Sequence, residues 1–160
     1  MQIRIRSTGQ VLLQHEWEKW VATTYGKSLS GLTAEVANTF ESDIILEGPQ
    51  ATGGTVYQYS QQDGVEQIDG KWYTKYILGP VFTDGETTAV EQEAAYKAGK
   101  DAEQAKSMRE DRNKRLAESD WTQLADAPVD SAVWATYRQA LRDVTAQSGF
   151  PWTITWPDAP

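Results

Sequence analysis

The chain has 160 residues, no cysteine and a formal charge of -8, with an isoelectric point near 4.6. That length supports one core, or one modest domain with an appendage. Without cysteine, disulfides and thiolate metal sites are excluded, and the acidic balance argues against binding nucleic acid by neutralising phosphates.

At the N-terminus "IRIR" alternates, with Ile3 and Ile5 on one side and Arg4 and Arg6 on the other, the period of a half-buried strand that turns at Thr8-Gly9. The next run places Leu13, Trp17, Trp20 and Val21 at helical spacing before Gly26, a C-terminal stop, with a short strand at Val11–Leu13 left open. Thr33 caps a brief helix whose inner face is Val36, Ala37 and Phe40. Strand character returns at "DIILEG" and lasts to Phe82, and Asp69-Gly70 makes a two-residue hairpin turn. Along the second arm of that hairpin Trp72, Thr74 and Tyr76 share one face, opposite Tyr73, Lys75 and Ile77. With "TVYQYSQQDG" as a further strand, these make a small aromatic-rich antiparallel sheet, one face packed on the helices and the other open to a partner.

One long helix is predicted over residues 87–118, where Thr88 and Glu91 have the spacing of a capping box and Gly99 is the weak point. Ala95, Ala98, Ala102, Ala105, Arg109, Arg112 and Leu116 recur at heptad steps on it. A seam so poor in apolar area reads either as a charged spacer or as a close-approach surface for another helix, in a homo-oligomer or with a partner. Beyond it lies a loop with Trp121. Asp130 then caps a last helix, with Val133, Trp134, Tyr137, Leu141 and Val144 on one side and Arg138 and Arg142 on the flank. The end, "GFPWTITWPDAP", holds Trp152 and Trp156 among prolines. Exposed rings forgo roughly 1.5–3 kcal/mol each, so this segment is expected to dock, either back over the helix or into a partner.

The fold class expected is therefore α+β: a module at residues 1–84 with a small antiparallel β-sheet and short helices, a long linking helix at 85–118, and a Trp-rich C-terminal helix with extended tail at 119–160. No catalytic set emerges. His15 is the sole histidine and "HEWEK" lacks the second one of a helical zinc site, no serine sits in a G-x-S-x-G turn, and "GPQATGGTV" has no Gly-Lys-Ser/Thr. No enzyme, cofactor or metal is expected. No apolar run approaches the ~18 residues of a membrane span, and the start lacks a signal-peptide stretch, so a soluble cytoplasmic product without membrane contact is expected. Seven Trp and seven Tyr exceed what a small core needs. Aromatic and arginine side chains dominate binding at interface centres, so Trp72, Tyr76, Trp121, Trp134, Tyr137, Arg138, Trp152 and Trp156 are the candidate partner-binding residues. For Arg138 and Arg142, ion pairs with Asp120, Asp126 or Asp143 are the alternative.

Residues 112–157 carry an "RNxxLxxSDWTQ" entry, a "WxxYRQxLRD" helix and a "GFPWxxxWP" exit. This combination resembles the C-terminal region of the phage tail assembly chaperone and tail fibre assembly protein families of tailed bacteriophages. The stretch "EGPQATGGTVYQYSQQDGVEQIDGKWYTKYILGPVF" has a looser likeness to segments in small cyanophage-type tail proteins. The resemblance implies a non-enzymatic protein that helps a trimeric fibre fold or attach, with a tail fibre or baseplate protein as partner, acting in the host cell cytoplasm during assembly. The alternatives are a permanent structural part of the virion tail and an accessory that contacts host glycan through the aromatic sheet.

Overall fold

A computed structural model describes residues 1–160. The chain divides into two compact units, Met1–Val81 and Phe82–Pro160.

The first unit is a five-stranded sheet with two helices. Its strands are β1 (Gln2–Ile5), β2 (Val11–Leu13), β3 (Ser42–Leu46), β4 (Tyr59–Ile68) and β5 (Lys71–Gly79), in the order β2-β1-β3-β5-β4. The helices are α1 (Gln14–Tyr25) and α2 (Ala34–Thr39). The strand left open at Val11–Leu13 forms and pairs with β1. The alternation of β1 sorts its faces as its period requires. Ile3 and Ile5 stand opposite Ile44 and Ser42 of β3 and are buried with Trp17, Val21 and Ala37, whereas Arg4 stands opposite Asp43 on the other face.

Trp17 anchors this core. Its ring is fully buried, edge-on to Phe40 at 6.1 Å, and its indole N–H donates to Ser42 Oγ at 2.9 Å. The Ser42 hydroxyl donates in turn to Phe40 O, so both polar groups that the core encloses are satisfied. Gly26 ends α1 at φ 63, the left-handed region that favours glycine.

The sheet is not wholly antiparallel. β3 runs parallel to β5, Ile45 beside Trp72 and Leu46 beside Tyr73. Parallel neighbours need a crossover, and here residues 47–58 together with β4 supply it, so β4 lies on the far edge rather than next to β3. The predicted strand "TVYQYSQQDG" begins later than its pattern indicates, because residues 55–58 close a turn, Gln58 N–H to Thr55 O. The hairpin turn is as expected, with Asp69 at φ 48 and Gly70 at φ 77.

The second unit is built on α3 (Ala89–Glu118) and α4 (Ser131–Asp143), joined through a 3-10 turn at Asp120–Gln123. The capping box of α3 forms in full: Thr88 Oγ1 accepts from Glu91 N–H, while the Glu91 carboxylate accepts from the Thr88 N–H and hydroxyl. Those bonds, the backbone one first, hold the Glu91 carboxyl below its ordinary 4.5. A depressed folded-state value stabilises the helix start above the ordinary value and is lost as pH falls through the depressed one. Protection of the amides in the first turn of α3, measured relative to their intrinsic exchange rates, is therefore expected to fall in acid, and Glu91→Gln to abolish that loss. NMR exchange rates against pH check this.

The tail does not form a strand. Phe150, Pro151 and Trp152 lie in a turn closed by the Trp152 and Thr153 N–H groups on Gly149 O. Past it the Gln147 side chain bonds Thr155 at both N–H and C=O, each at 2.8 Å. One amide side chain thus supplies the pairing a neighbouring strand would. Gly149 is required here, since a Cβ would collide with the Thr153 carbonyl. Gly149→Ala is expected to free the tail, read as faster exchange at the Thr155 amide. The tail rings fold back on α3: Trp152 donates its indole N–H to Asp101, Arg109 lies 5.4 Å from the Phe150 ring, and Arg115 lies 4.5 Å from the Trp156 ring. Asp101, Ala105 and Arg109 follow at i, i+4 steps on one face, and Ala105 is the seam alanine that becomes buried.

Candidate functional site

The eight residues predicted to contact a partner fall into separate groups. On the first unit Trp72 and Tyr76 lie on the sheet face opposite α1 and α2 and are half-buried. The Arg4 guanidinium stacks over the Trp72 ring at 4.1 Å. The Tyr76 hydroxyl donates to Glu47, and that bond, first among several causes, raises the phenol's pKa.

On the second unit Trp121, Trp134 and Tyr137 form a run of rings. Trp121 lies 6.2 Å from Trp134, and Trp134 lies 5.6 Å from Tyr137 in an edge-on arrangement. The 3-10 turn that presents Trp121 is held from beneath, with Thr122 fully buried and its hydroxyl on Ser119 O. α4 starts where it does because Asp130 accepts from the Ala132 and Val133 N–H groups. That cap sets Val133 and Trp134 in the first turn, beyond the buried stripe of Tyr137, Leu141 and Val144. Trp121 and Val133 each remain 48% exposed and Leu124 60%. Beside the rings a groove of about 430 Å³ runs between α4 and the chain end, lined by Val133, Thr136, Tyr137, Ala140, Pro157, Asp158 and Pro160.

Arg138 and Tyr137 are not surface. Arg138 is a buried clamp whose guanidinium donates to Leu116 O at 2.7 Å, Ser119 Oγ at 2.8 Å and Asp120 at 2.6 Å. The ion-pair alternative with Asp120 is thus the observed geometry. Trp152 and Trp156 are half-buried on α3. Sequence reasoning missed Leu124 and placed Val133 on the inward face. An apolar residue in a loop before Pro128 was the available signal for Leu124. For Val133, its position only three residues past the cap was the signal, since a first turn often overhangs the core below it. Ala95, Ala98 and Ala102 of the heptad seam are exposed in the single chain.

No group of three histidine, cysteine or acidic residues is placed to hold a metal, and no helix is long and apolar enough to cross a membrane. What this surface offers is apolar area, with one carboxylate, Asp158, in the groove lining.

Residues 105–160 match the model of the phage tail assembly chaperone protein family. The matched span holds the ring cluster, the groove and the docked tail, and it includes the motifs from which the resemblance was read. No curated protein and no solved structure matches the chain.

Proposed function

We propose that the protein is a tail assembly chaperone, acting without catalysis, that covers apolar surface on an immature phage tail fibre or baseplate subunit in the host cytoplasm and so suppresses wrong association while the subunit assembles. One observation carries this reading: within the segment that matches the chaperone family, a tryptophan packed at a tilt beside a second ring is left about half exposed. A ring held rigid and open is the form of an interface anchor. Leu124 and Val133 extend the apolar area, and the groove beside Pro157 continues it. In this reading Trp121 and Trp134 touch the partner. Tyr137, Arg138, Trp152 and Trp156 position the surface, and Trp72 and Tyr76 form a second contact area on the sheet.

The test is co-expression with the candidate tail subunit. Trp121→Ser combined with Leu124→Ser is expected to weaken binding by at least about 2 kcal/mol, roughly thirtyfold. Both residues are exposed, so the unfolding midpoint should move by less than about 1 kcal/mol equivalent. A subunit that is soluble and correctly assembled in the absence of this protein would remove the chaperone role. Mass spectrometry of purified particles separates the alternative, since a helper is absent from them and a structural part is present in stoichiometric copies.

A further inference from the structure

The sheet of the first unit ends in two edge strands, β2 and β4. β2 has three residues and runs straight into α1, too short an edge to extend the sheet. β4 has ten, with no lysine or proline among them, and its only backbone ladder is the one to β5.

The hairpin decides which backbone groups face the outer side of β4. Asp69 and Gly70 both have positive φ, and in a two-residue turn of that kind the flanking pair, Ile68 and Lys71, exchange both hydrogen bonds. Bonded pairs then alternate, so Glu66 also faces β5 while Val65 and Gln67 turn their N–H and C=O outward. At the bulge Asp63 and Gly64 together stand opposite Lys75, and the alternation resumes one residue out of step. Beyond it Tyr59 and Gln61 face β5, and Ser60 and Gln62 face outward.

The outward residues are thus Ser60, Gln62, Val65 and Gln67, at steps of two, three and two. A regular strand offers steps of two throughout and matches only one half of this edge. A second β4 running antiparallel offers the same steps in reverse, so Ser60 meets Gln67 and Gln62 meets Val65 about a twofold axis at the bulge. The same register sets Tyr59 opposite Ile68. Both lie on one face, beside Gly79 and Lys71 of β5, and they are 53% and 41% exposed in the single chain. No carboxylate falls directly opposite another: Glu66 meets Gln61, and Asp63, held by Lys75 at 3.2 Å, meets Gly64.

We propose that β4 is a self-association edge, through which two copies of the chain pair about that axis into one continuous sheet of twice the strand number. This inference stands apart from the Trp121 surface and rests on none of its residues.

Sedimentation velocity of the full chain, from micromolar to near-millimolar concentration, is expected to show a reversible monomer–dimer equilibrium. Gln62→Pro removes an outward N–H without touching the ladder to β5 and, because the axis repeats it, deletes two intermolecular bonds. Weakening by about tenfold or more is expected. The chain has no cysteine, so introduced ones report the register. A mixture of Gln61→Cys and Glu66→Cys chains should form a mixed disulfide on mild oxidation, whereas neither variant alone should cross-link, since like residues lie about 17 Å apart across the axis. An unmoved Trp17 indole signal confirms that each variant is folded, and if Gln62→Pro unfolds the sheet the cysteine pair decides alone. A monomer at every concentration would overturn the proposal, as would a dimer that ignores Gln62→Pro or one in which the mixed pair links no faster than either variant by itself.

Discussion

Arg138→Met is expected to destabilise the second unit by about 3 kcal/mol. The Asp120 carboxylate is 66% exposed, so its ion pair contributes under about 1 kcal/mol. The greater part comes from the Leu116 carbonyl and the Ser119 hydroxyl, which lose a charged donor where water cannot readily replace it. These two groups close the end of α3, and Arg138 is the bond from α4 that fixes the 3-10 turn carrying Trp121. Arg138→Lys should recover only part of the loss, because a single ammonium cannot reproduce the fork that reaches three acceptors. Urea unfolding followed by tryptophan fluorescence measures both variants. A midpoint within error of the parent for Arg138→Met would mean that the clamp is dispensable and that Trp121 is held by something else.

Trp17→Ala is expected to cost about 4 kcal/mol, the range for deleting a fully buried ring from a close-packed core. Trp17→Phe keeps most of the apolar contact but leaves the Ser42 hydroxyl without its donor, so about 1–2 kcal/mol is expected. Set beside Trp121→Ala, which should cost under about 1 kcal/mol, the pair separates a ring that builds the fold from one that serves its surface. Equal losses at the two positions would show that Trp121 is core and would withdraw it from the partner-binding surface.

The helices were largely legible because their ends are written locally. Thr88 with Glu91, Asp130, Thr33 and Gly26 each satisfy or redirect backbone groups within a turn, so a few consecutive residues decide the boundary. The hairpin at Asp69-Gly70 was legible for the same reason. The parallel pairing of β3 with β5 was not. Alternation fixes which face of a strand is buried, but says nothing of which strand lies beside it, and 24 residues separate Leu46 from Lys71. That the tail is extended and docks its rings was legible, but what holds it was not: Trp152, Ile154 and Trp156 have strand spacing, yet the backbone of Thr155 between them pairs with the side chain of Gln147, which no periodicity marks.

The candidate site divides along the same line. That aromatic rings cluster around α4 follows from helical spacing, and Trp121 and Trp134 do meet. Which rings face outward depends on long-range packing. Arg138 shows the limit: on the helix flank it resembles a surface contact, and it becomes interior because the end of α3, 22 residues earlier, brings the Leu116 carbonyl to it.

Pro157, Asp158 and Pro160 form one wall of the groove beside α4. An affinity handle or fluorescent fusion appended after Pro160 would therefore emerge at the groove's own mouth. Capture assays that immobilise the protein by that end would under-report any ligand seated there, and the choice of labelling position decides whether the interaction is seen at all.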